Sequence, residues 1–338
     1  MSRNRILAFV LLFGAGTFEQ ATARAPAFHL ITNAVHLEGV GPDNPIIYDN
    51  DWWSDVFDKD YLFARASLGT IRLQGLIVTR DMWDWQKGYL YTFEQCWEDA
   101  RKAIDRARAA GLRNIPEPVR GADRALQPPA SRRIHETVPQ TSPGTRLIIE
   151  AARRATPQKP LLIICGGPLT TVANALLLDP DIADRILVFN LTVNGGYNGK
   201  DAWSVYIVCK LARYVDWGGG AFWDPDSVFR PADFDPLPDN PMTREMKRFI
   251  RTDLGRANQL GDGAPLVWLF QHSCWRRAEP RRAVYVEGTH PSVAFESVST
   301  PQEADLLVIP KDATDIPACR QEFLRVLMDP QLFPAQRN

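Results

Sequence analysis

The chain has 338 residues, of which 45% are hydrophobic and 23% are charged, and its formal net charge is −1. This composition provides enough apolar side chains for one large domain with a core, and it excludes a disordered or low-complexity chain. The near-neutral charge, without a long basic stretch, argues against nucleic acid and anionic membrane surfaces as partners and favours a small-molecule ligand.

The N-terminus has the pattern of a secretory signal peptide. Arg3 and Arg5 precede an apolar run from Ile6 to Phe13, and Ala21-Thr22-Ala23 has the A-x-A form of a cleavage site. The run is far shorter than the roughly 20 residues that span a bilayer. We therefore predict a signal peptide over residues 1–23, a single domain over residues 24–338, and a secreted or periplasmic protein without a membrane segment after cleavage. An uncleaved anchor or a disordered leader is the alternative.

Strand-like and helix-like segments alternate after this leader. Strands are predicted at Pro45 to Tyr48, Leu73 to Val78, Leu161 to Cys165 and Arg185 to Leu191, and helices at Tyr61 to Leu68, Phe93 to Ala110, Ser142 to Arg154 and Thr170 to Leu178. Such alternation predicts an α/β fold, with an open, mostly parallel sheet, helices on both faces and a Rossmann-like core. Residues 114–145 and 216–239 are irregular and are interpreted as loops or lids.

Five aspartates follow the first strand: Asp49, Asp51, Asp55, Asp58 and Asp60. Ligands of open parallel sheets bind at the carboxyl ends of the strands. So many carboxylates repel one another unless a cation neutralises them, and oxygen ligands suit Ca²⁺ or Mg²⁺ better than zinc. The loop is therefore a candidate metal site. The alternative is a solvated acidic loop that caps the following helix.

Five segments resemble the inosine-uridine nucleoside hydrolase superfamily. DNDWWSDVFD (Asp49 to Asp58) is similar to its longer D-x-D-x-x-x-D-x-D-D pattern, and CGGPLTTVANALLLDPDIADRI (Cys165 to Ile186) is similar to its G-P-L-T-N-x-A-x-A-L…D-P stretch. IPEPVRGADRAL (Ile115 to Leu126) resembles the segment that ends in G-A-x-R-P-L. VNGGYNGKDAWSVYIVCKLARYV (Val193 to Val215) resembles its G-G…N…A-E-x-N segment with losses, and GDGAPLVWLF (Gly261 to Phe270) falls where the family has an H-D motif. The resemblance extends over residues 45 to 330 and weakens after residue 195. It implies the nucleoside hydrolase-like α/β fold.

The same resemblance implies a Ca²⁺ ion bound by Asp51, Asp58, the backbone carbonyl of Thr170, and Asp262. In the family this ion holds the ribose hydroxyls and the attacking water. The implied activity is calcium-dependent hydrolysis of the N-glycosidic bond of a ribonucleoside or related N-riboside, in a dimer or tetramer.

The chain departs from the family at the general base. That acid corresponds to Phe57, which cannot accept a proton, and Asp55 or Asp49 is the predicted substitute. The family's leaving-group histidine corresponds to Gly261.

It departs also where the family grips the 5′ side of the ribose. The family's Glu and Asn fall at Ala202 and Ser204, and Asn198 is the predicted replacement for another ribose contact. Ser204 and Asn198 are therefore predicted substrate-binding residues. These replacements support an alternative function, a catalytically impaired metal-containing protein that binds a nucleoside or sugar on the same scaffold.

Four tryptophans lie close to the predicted site in sequence. Trp52 and Trp53 lie within the acidic loop, and Trp83 and Trp85 follow the second strand. Indole faces stack on planar bases and on sugars, and Trp53 and Trp83 are the predicted ligand contacts. The alternative is that these side chains fill space beneath the loop.

Overall fold

The computed structural model describes residues 40–52, 58–82, 91–190, 201–217, 226, 228–252, 266–267 and 275–333. The predicted signal peptide over residues 1–23 lies outside this part of the chain. No helix among the described residues is long and apolar enough to cross a membrane.

The strands of the described residues form one sheet. They are β1 Pro45–Asn50, β2 Arg72–Val78, β3 Pro118–Arg120, β4 Leu161–Cys165, β5 Ile186–Asn190, β6 Arg213–Trp217, β7 Glu279–Val286, β8 Ser292–Ser297 and β9 Leu306–Ile309. Their spatial order is β3-β2-β1-β4-β5-β6-β9-β7-β8. Every pair from β3 to β9 is parallel, whereas β7 runs antiparallel to both β9 and β8.

Helices cover both faces of this sheet. They are α1 Asp58–Ser67, α2 Phe93–Ala109, α3 Pro143–Arg154, α4 Thr170–Leu178, α5 Ala202–Leu211, α6 Pro231–Phe234, α7 Pro241–Thr252 and α8 Ile316–Leu327. The apolar side chains of α1, α2, α7 and α8 pack with one face of the sheet, and those of α3, α4 and α5 pack with the other. This three-layer arrangement confirms the predicted α/β fold.

Helix α3 shows how local sequence sets an element boundary. The Ser142 hydroxyl accepts a hydrogen bond from Thr145 N at 3.1 Å, and Thr145 Oγ1 accepts one from Ser142 N at 2.9 Å. Pro143 occupies the first turn, where its missing N–H costs nothing. The helix predicted over Ser142 to Arg154 is therefore present, with Ser142 as its N-cap residue.

The irregular stretch over residues 114–145 contains the short edge strand β3 and a 3₁₀ turn at Ile134–Glu136. In the second irregular stretch, residues 218–225 and 227 lie outside the described residues.

The antiparallel hairpin of β7 and β8 has no counterpart among the predicted strands. It packs over α5 through an aromatic cluster in which the Trp203 ring lies 5.4 Å from Tyr206 and 5.1 Å from Tyr285, centroid to centroid. This hairpin extends the sheet beyond β9 and packs against α5, on the face that carries α3, α4 and α5.

Candidate functional site

Strand β1 sends successive side chains to opposite faces of the sheet. Ile47 belongs to the core on the α3–α5 side and Tyr48 to the core on the α1 side. Side chains alternate along a strand, so Asp49 follows Ile47 and Asn50 follows Tyr48. The residues at the end of β1 therefore take part in two polar networks, one on each face of the sheet.

The first network surrounds Asp49, which is 0% exposed. Thr79, directly after β2, donates its hydroxyl to Asp49 Oδ1 at 2.6 Å. The Thr171 hydroxyl lies 2.6 Å from that of Thr79 and accepts a hydrogen bond from Ala122 N at 2.9 Å. Because Thr79 donates its hydroxyl proton to Asp49, the Thr171 hydroxyl must donate to Thr79. A continuous chain of hydrogen bonds therefore leads from Ala122 N through Thr171 and Thr79 to the carboxylate.

This environment gives Asp49 an unusual carboxylate. Its Oδ2 atom is buried and has no hydrogen-bond partner in the described part of the chain. The pKa of Asp49 is raised from 3.8 to about 7, chiefly by burial and in part by the nearby Asp201 carboxylate, against the hydrogen bond from Thr79. Asp49 therefore exchanges its proton near neutral pH, as an acid–base group requires.

The second network holds Asp58, the first residue of α1. The Tyr48 hydroxyl donates to Asp58 Oδ2, and Asn50 Nδ2 lies 3.4 Å from the same oxygen. Asn50 Oδ1 accepts from Trp52 N at 2.6 Å. Burial raises the pKa of Asp58, and the Lys59 ammonium, 3.9 Å from Asp58 Oδ1, opposes this rise.

Trp52 turns the chain immediately after these acids. Its φ is +59°, in the left-handed region that non-glycine residues rarely adopt. Its indole N–H donates to Ile77 O at 2.9 Å, and its ring packs against Tyr48 and Phe63 at centroid distances of 5.6 and 6.3 Å. Trp52 is therefore a buried residue that packs in the core on the α1 side of the sheet.

The turn between β4 and α4 approaches the backbone of Asp51. Gly166 N donates to Asp49 O at 3.0 Å. A Cβ on Gly167 would lie 2.7 Å from Asp51 N, so only glycine fits without a shift. This close approach brings the turn that leads to Thr170, at the start of α4, against the end of β1.

A third buried carboxylate, Asp201, lies behind Thr170. Asp201 Oδ2 accepts from Leu169 N at 2.7 Å, and its Oδ1 accepts from the Thr170 hydroxyl. Burial raises the pKa of Asp201 to about 7, against the hydrogen bonds from Thr170, Leu169 and Ser204. Asp201 is not among the predicted site residues, although it directly precedes Ala202, where the resemblance places an acid that this chain lacks.

The structure thus gathers several predicted site residues. Asp49, Asp51 and Asp58 are 0%, 1% and 1% exposed, so the alternative of a solvated acidic loop is wrong for these three. Ser204 is buried, and its Oγ lies 3.2 Å from Thr170 Oγ1. Five predicted residues lie outside the described residues: Trp53, Asp55, Trp83, Asn198 and Asp262.

The donor types fit a hard divalent cation. Asp51 and Asp58 offer carboxylates and Thr170 offers a carbonyl, all of them oxygen ligands of the kind Ca²⁺ prefers. Burial raises the pKa of Asp58, and a cation bound beside this carboxylate would lower it. Among the described residues, no three His, Cys, Asp or Glu side chains converge on one point. The predicted set is consistent with this finding, because it takes only two acids from that part of the chain.

Comparison with known proteins gives matches among solved structures alone. No protein-family profile and no curated protein sequence matches the chain. The purine-preferring ribonucleoside hydrolase from Gardnerella vaginalis matches with a TM-score of 0.59 and 15% identity, over 86% of this chain and 100% of that one. A plant nucleoside hydrolase, PpNRh1, matches with a TM-score of 0.57 and 16% identity, over 86% and 99%.

The type III effector protein XopQ, solved in complex with adenosine diphosphate ribose, matches with a TM-score of 0.53 and 12% identity, over 86% and 94%. At these identities the similarity establishes the fold, which confirms the fold implied by the sequence resemblance.

Proposed function

We propose that this chain, which has a divergent nucleoside hydrolase-like fold, hydrolyses the N-glycosidic bond of a ribonucleoside or related N-riboside with calcium as its cofactor. The observation that carries the proposal is the burial of Asp49, Asp51 and Asp58 at the end of β1 in this fold. Ligands of open α/β sheets bind at this edge, and a group of buried carboxylates whose pKa values are raised is typical of functional sites.

The proposed calcium ligands are Asp51, Asp58, the Thr170 carbonyl and Asp262. Two features of the structure support this set. Tyr48 and Asn50 contact the Asp58 carboxylate, and the lack of a side chain at Gly167 lets the β4–α4 turn approach Asp51. When bound, calcium would supply a Lewis acid that holds the ribose hydroxyls and lowers the pKa of the attacking water.

Hydrolysis also needs a proton acceptor. As the water oxygen bonds to the anomeric carbon, the carbon–nitrogen bond breaks, its electrons pass to the departing base, and the water loses a proton. Asp49 is the proposed acceptor in the described part of the chain, and Oδ2 is its available atom. With a pKa of about 7, Asp49 is ionised at mildly alkaline pH and receives that proton there. Asp55 remains the second candidate.

The remaining substrate contacts belong to the same proposal. Ser204 lies beside Thr170, and Asn198, Trp53 and Trp83 are the proposed ribose and base contacts from segments that border the described residues. One nucleoside hydrolase-fold neighbour was solved with adenosine diphosphate ribose. Substrates therefore should be sought among free nucleosides and among larger ribosyl compounds.

A second candidate function is calcium-dependent binding of a nucleoside or sugar without turnover. Ala202 favours it, because this buried residue stands where the resemblance places an acid that grips the ribose. Phe57 at the base position favours it as well. The binding function needs the metal and the pocket but no proton acceptor.

One experiment separates the two functions. The purified protein is incubated with purine and pyrimidine ribonucleosides and with adenosine diphosphate ribose, and released reducing sugar is measured in EDTA and after Ca²⁺ is restored. We expect release that EDTA abolishes and Ca²⁺ restores. Calcium-dependent ligand binding without release from any compound would contradict the hydrolase and support the binding protein. Asp51→Ala tests the site directly, since unchanged calcium affinity would contradict the proposed ligand set.

Export, domain organisation and assembly are also proposals. N-terminal sequencing of the protein from its native host is expected to begin at Arg24, and a chain that begins at Met1 would contradict cleavage. Limited proteolysis of the mature protein is expected to leave one resistant unit, as a single domain over residues 24–338 requires. Light scattering is expected to give the mass of a dimer or tetramer.

A further inference from the structure

Asp201 occupies a helix start but does not serve its own helix. It is the N-cap residue of α5, with φ −96° and ψ −3°, and its side chain makes no hydrogen bond to the α5 backbone. An aspartate in this position ordinarily accepts from the N–H two or three residues later and stabilises the helix by about 1 kcal/mol. Asp201 does not make that hydrogen bond.

The carboxylate serves helix α4 instead. Leu169, the N-cap residue of α4, has an apolar side chain and makes no cap hydrogen bond. Asp201 Oδ2 accepts from Leu169 N at 2.7 Å, so an acid 32 positions later in the chain satisfies the start of α4. A carboxylate there also interacts favourably with the positive end of the helix dipole.

The same carboxylate fixes the side chain of Thr170. The Thr170 hydroxyl donates to Asp201 Oδ1, and it lies 3.2 Å from Ser204 Oγ and 3.3 Å from Met82 Sδ. Thr170 and Asp201 are both 0% exposed. Water does not compete for these bonds, and each is therefore stronger than its equivalent on the surface.

The Asp201 carboxylate thus accepts hydrogen bonds from two successive residues, from the backbone N–H of Leu169 and from the hydroxyl of Thr170. On the other side of the turn, Gly167 lies against Asp51 N. Asp201 therefore fixes the backbone at Leu169 and the side chain of Thr170, so it holds the residue that begins α4 in place relative to the end of β1.

We propose that Asp201 is a positioning residue that aims the Thr170 backbone carbonyl at the cation site. The inference rests on the proposed function insofar as this carbonyl is a calcium ligand. Asp201 acts through α4 and does not touch the ion. Residues that orient metal ligands in this way commonly change metal affinity 10–100-fold when they are replaced.

The test measures calcium affinity of the full chain by isothermal titration with calcium chloride. The variants are Asp201→Ala, which removes both acceptors, and Asp201→Asn, which keeps one carbonyl oxygen to accept a hydrogen bond. Thr92→Ala is the matched control, because it removes the cap of α2, where Gln95 N donates to Thr92 Oγ1 at 3.2 Å on the exposed surface. Circular dichroism establishes that each variant is folded at the temperature of titration.

We expect Asp201→Ala to weaken calcium binding about tenfold or more, Asp201→Asn to lie between Asp201→Ala and the wild type, and Thr92→Ala to bind as the wild type does. Equal losses in Asp201→Ala and Asp201→Asn would overturn positioning in favour of a direct effect of charge. Unchanged affinity in Asp201→Ala, or an equal loss in Thr92→Ala, would overturn it too. If Asp201→Ala does not fold, wild-type affinity in Asp201→Asn overturns the inference and weakened affinity supports it.

This readout separates the inference from the proposed reaction. A wild-type protein that binds calcium but cleaves no nucleoside contradicts the reaction and leaves Asp201 to be judged by affinity. A wild-type protein that cleaves nucleosides but binds no calcium contradicts the inference and leaves the hydrolase activity intact.

Discussion

The Thr79 hydroxyl donates to Asp49 Oδ1 at 2.6 Å, whereas Asp49 Oδ2 has no partner among the described residues. The two oxygens of one carboxylate therefore have different tasks. Oδ1 is anchored to the end of β2, and Oδ2 is available to a proton or a ligand. This asymmetry orients the side chain before any substrate arrives.

The first prediction concerns that anchor. Thr79→Val removes the donor and leaves a buried carboxylate oxygen unsatisfied, which should lower the free energy of unfolding by about 1–3 kcal/mol. Chemical denaturation measures this change. Thr252→Val is the control, because Thr252 Oγ1 donates to Arg248 O at 2.9 Å on the exposed end of α7, and it should change stability by about 0.5 kcal/mol or less. Similar effects of the two substitutions would contradict the anchoring role.

The second prediction is the pH dependence that Asp49 imposes. Its pKa in the folded protein, about 7, lies above its ordinary value of 3.8, so folding takes up a proton between these values. The stability contribution of Asp49 is then fully present below about pH 4 and falls as the pH rises to about 7, by at most about 1.4 kcal/mol per pH unit. Asp49→Asn cannot ionise and lacks this contribution. In EDTA, the stability of the wild type relative to Asp49→Asn should therefore fall between pH 4 and 7, and a constant difference would contradict the raised pKa.

The third prediction concerns Tyr48, whose hydroxyl donates to Asp58. Tyr48→Phe removes that donor and frees the carboxylate to rotate, and we expect calcium affinity to fall about 10–100-fold. Titration calorimetry measures the affinity. Tyr206→Phe, in the aromatic cluster against the β7–β8 hairpin, is the matched control and should bind calcium as the wild type does. Equal affinities in the two variants would show that Tyr48 does not support the site.

The fourth prediction uses the close approach at Gly167. A methyl group in Gly167→Ala would meet Asp51 N at 2.7 Å, so the β4–α4 turn must shift, at a cost of about 1–3 kcal/mol. Gly41→Ala is the control, since a Cβ there meets nothing within 4 Å. Thermal unfolding and calcium titration should both report a loss for Gly167→Ala alone. Wild-type behaviour of Gly167→Ala would contradict the contact between this turn and Asp51.

The fifth prediction concerns the buried ion pair between α1 and α8. Arg65 donates to Glu322, which also accepts from Arg325 Nε at 2.7 Å, and both Arg65 and Glu322 are less than a tenth exposed. Glu322→Gln leaves the Arg65 guanidinium uncompensated and should cost about 3–5 kcal/mol. Glu296→Gln removes the partner of Arg282 on the exposed hairpin, where a pair contributes about 0–1 kcal/mol. Comparable losses in urea unfolding would contradict the burial of the α1–α8 pair.

The central strands and their helices were predictable from local sequence. Leu161–Cys165 is a continuous apolar run, as expected for a strand that is covered on both faces. Ser142 and Pro143 together mark the start of α3. The β7–β8 hairpin was not predicted. Strand β7 mixes Arg281 and Arg282 with apolar residues, because part of it faces solvent, and this weakens the hydrophobic signal that marks a buried strand.

The site was predictable only in part, for a related reason. Asp49, Asp51 and Asp58 lie within ten residues of one another, so their concentration is visible in the sequence. Thr79 and Asp201 act on partners 30 and 32 positions away. A lone threonine or aspartate carries no local signal of such a contact, because only the parallel pairing of the strands brings the partners together.

The backbone at Trp52, directly after β1, has a strained left-handed conformation. Such a conformation costs a bulky residue about 1–3 kcal/mol, and here the indole bond to Ile77 and the contacts with Tyr48 and Phe63 hold it in place. A smaller side chain at this position would lose the contacts that offset this cost, and the backbone there would no longer be held in the left-handed region. The backbone conformation directly after β1 therefore depends on a ring that is bonded to the neighbouring strand, β2.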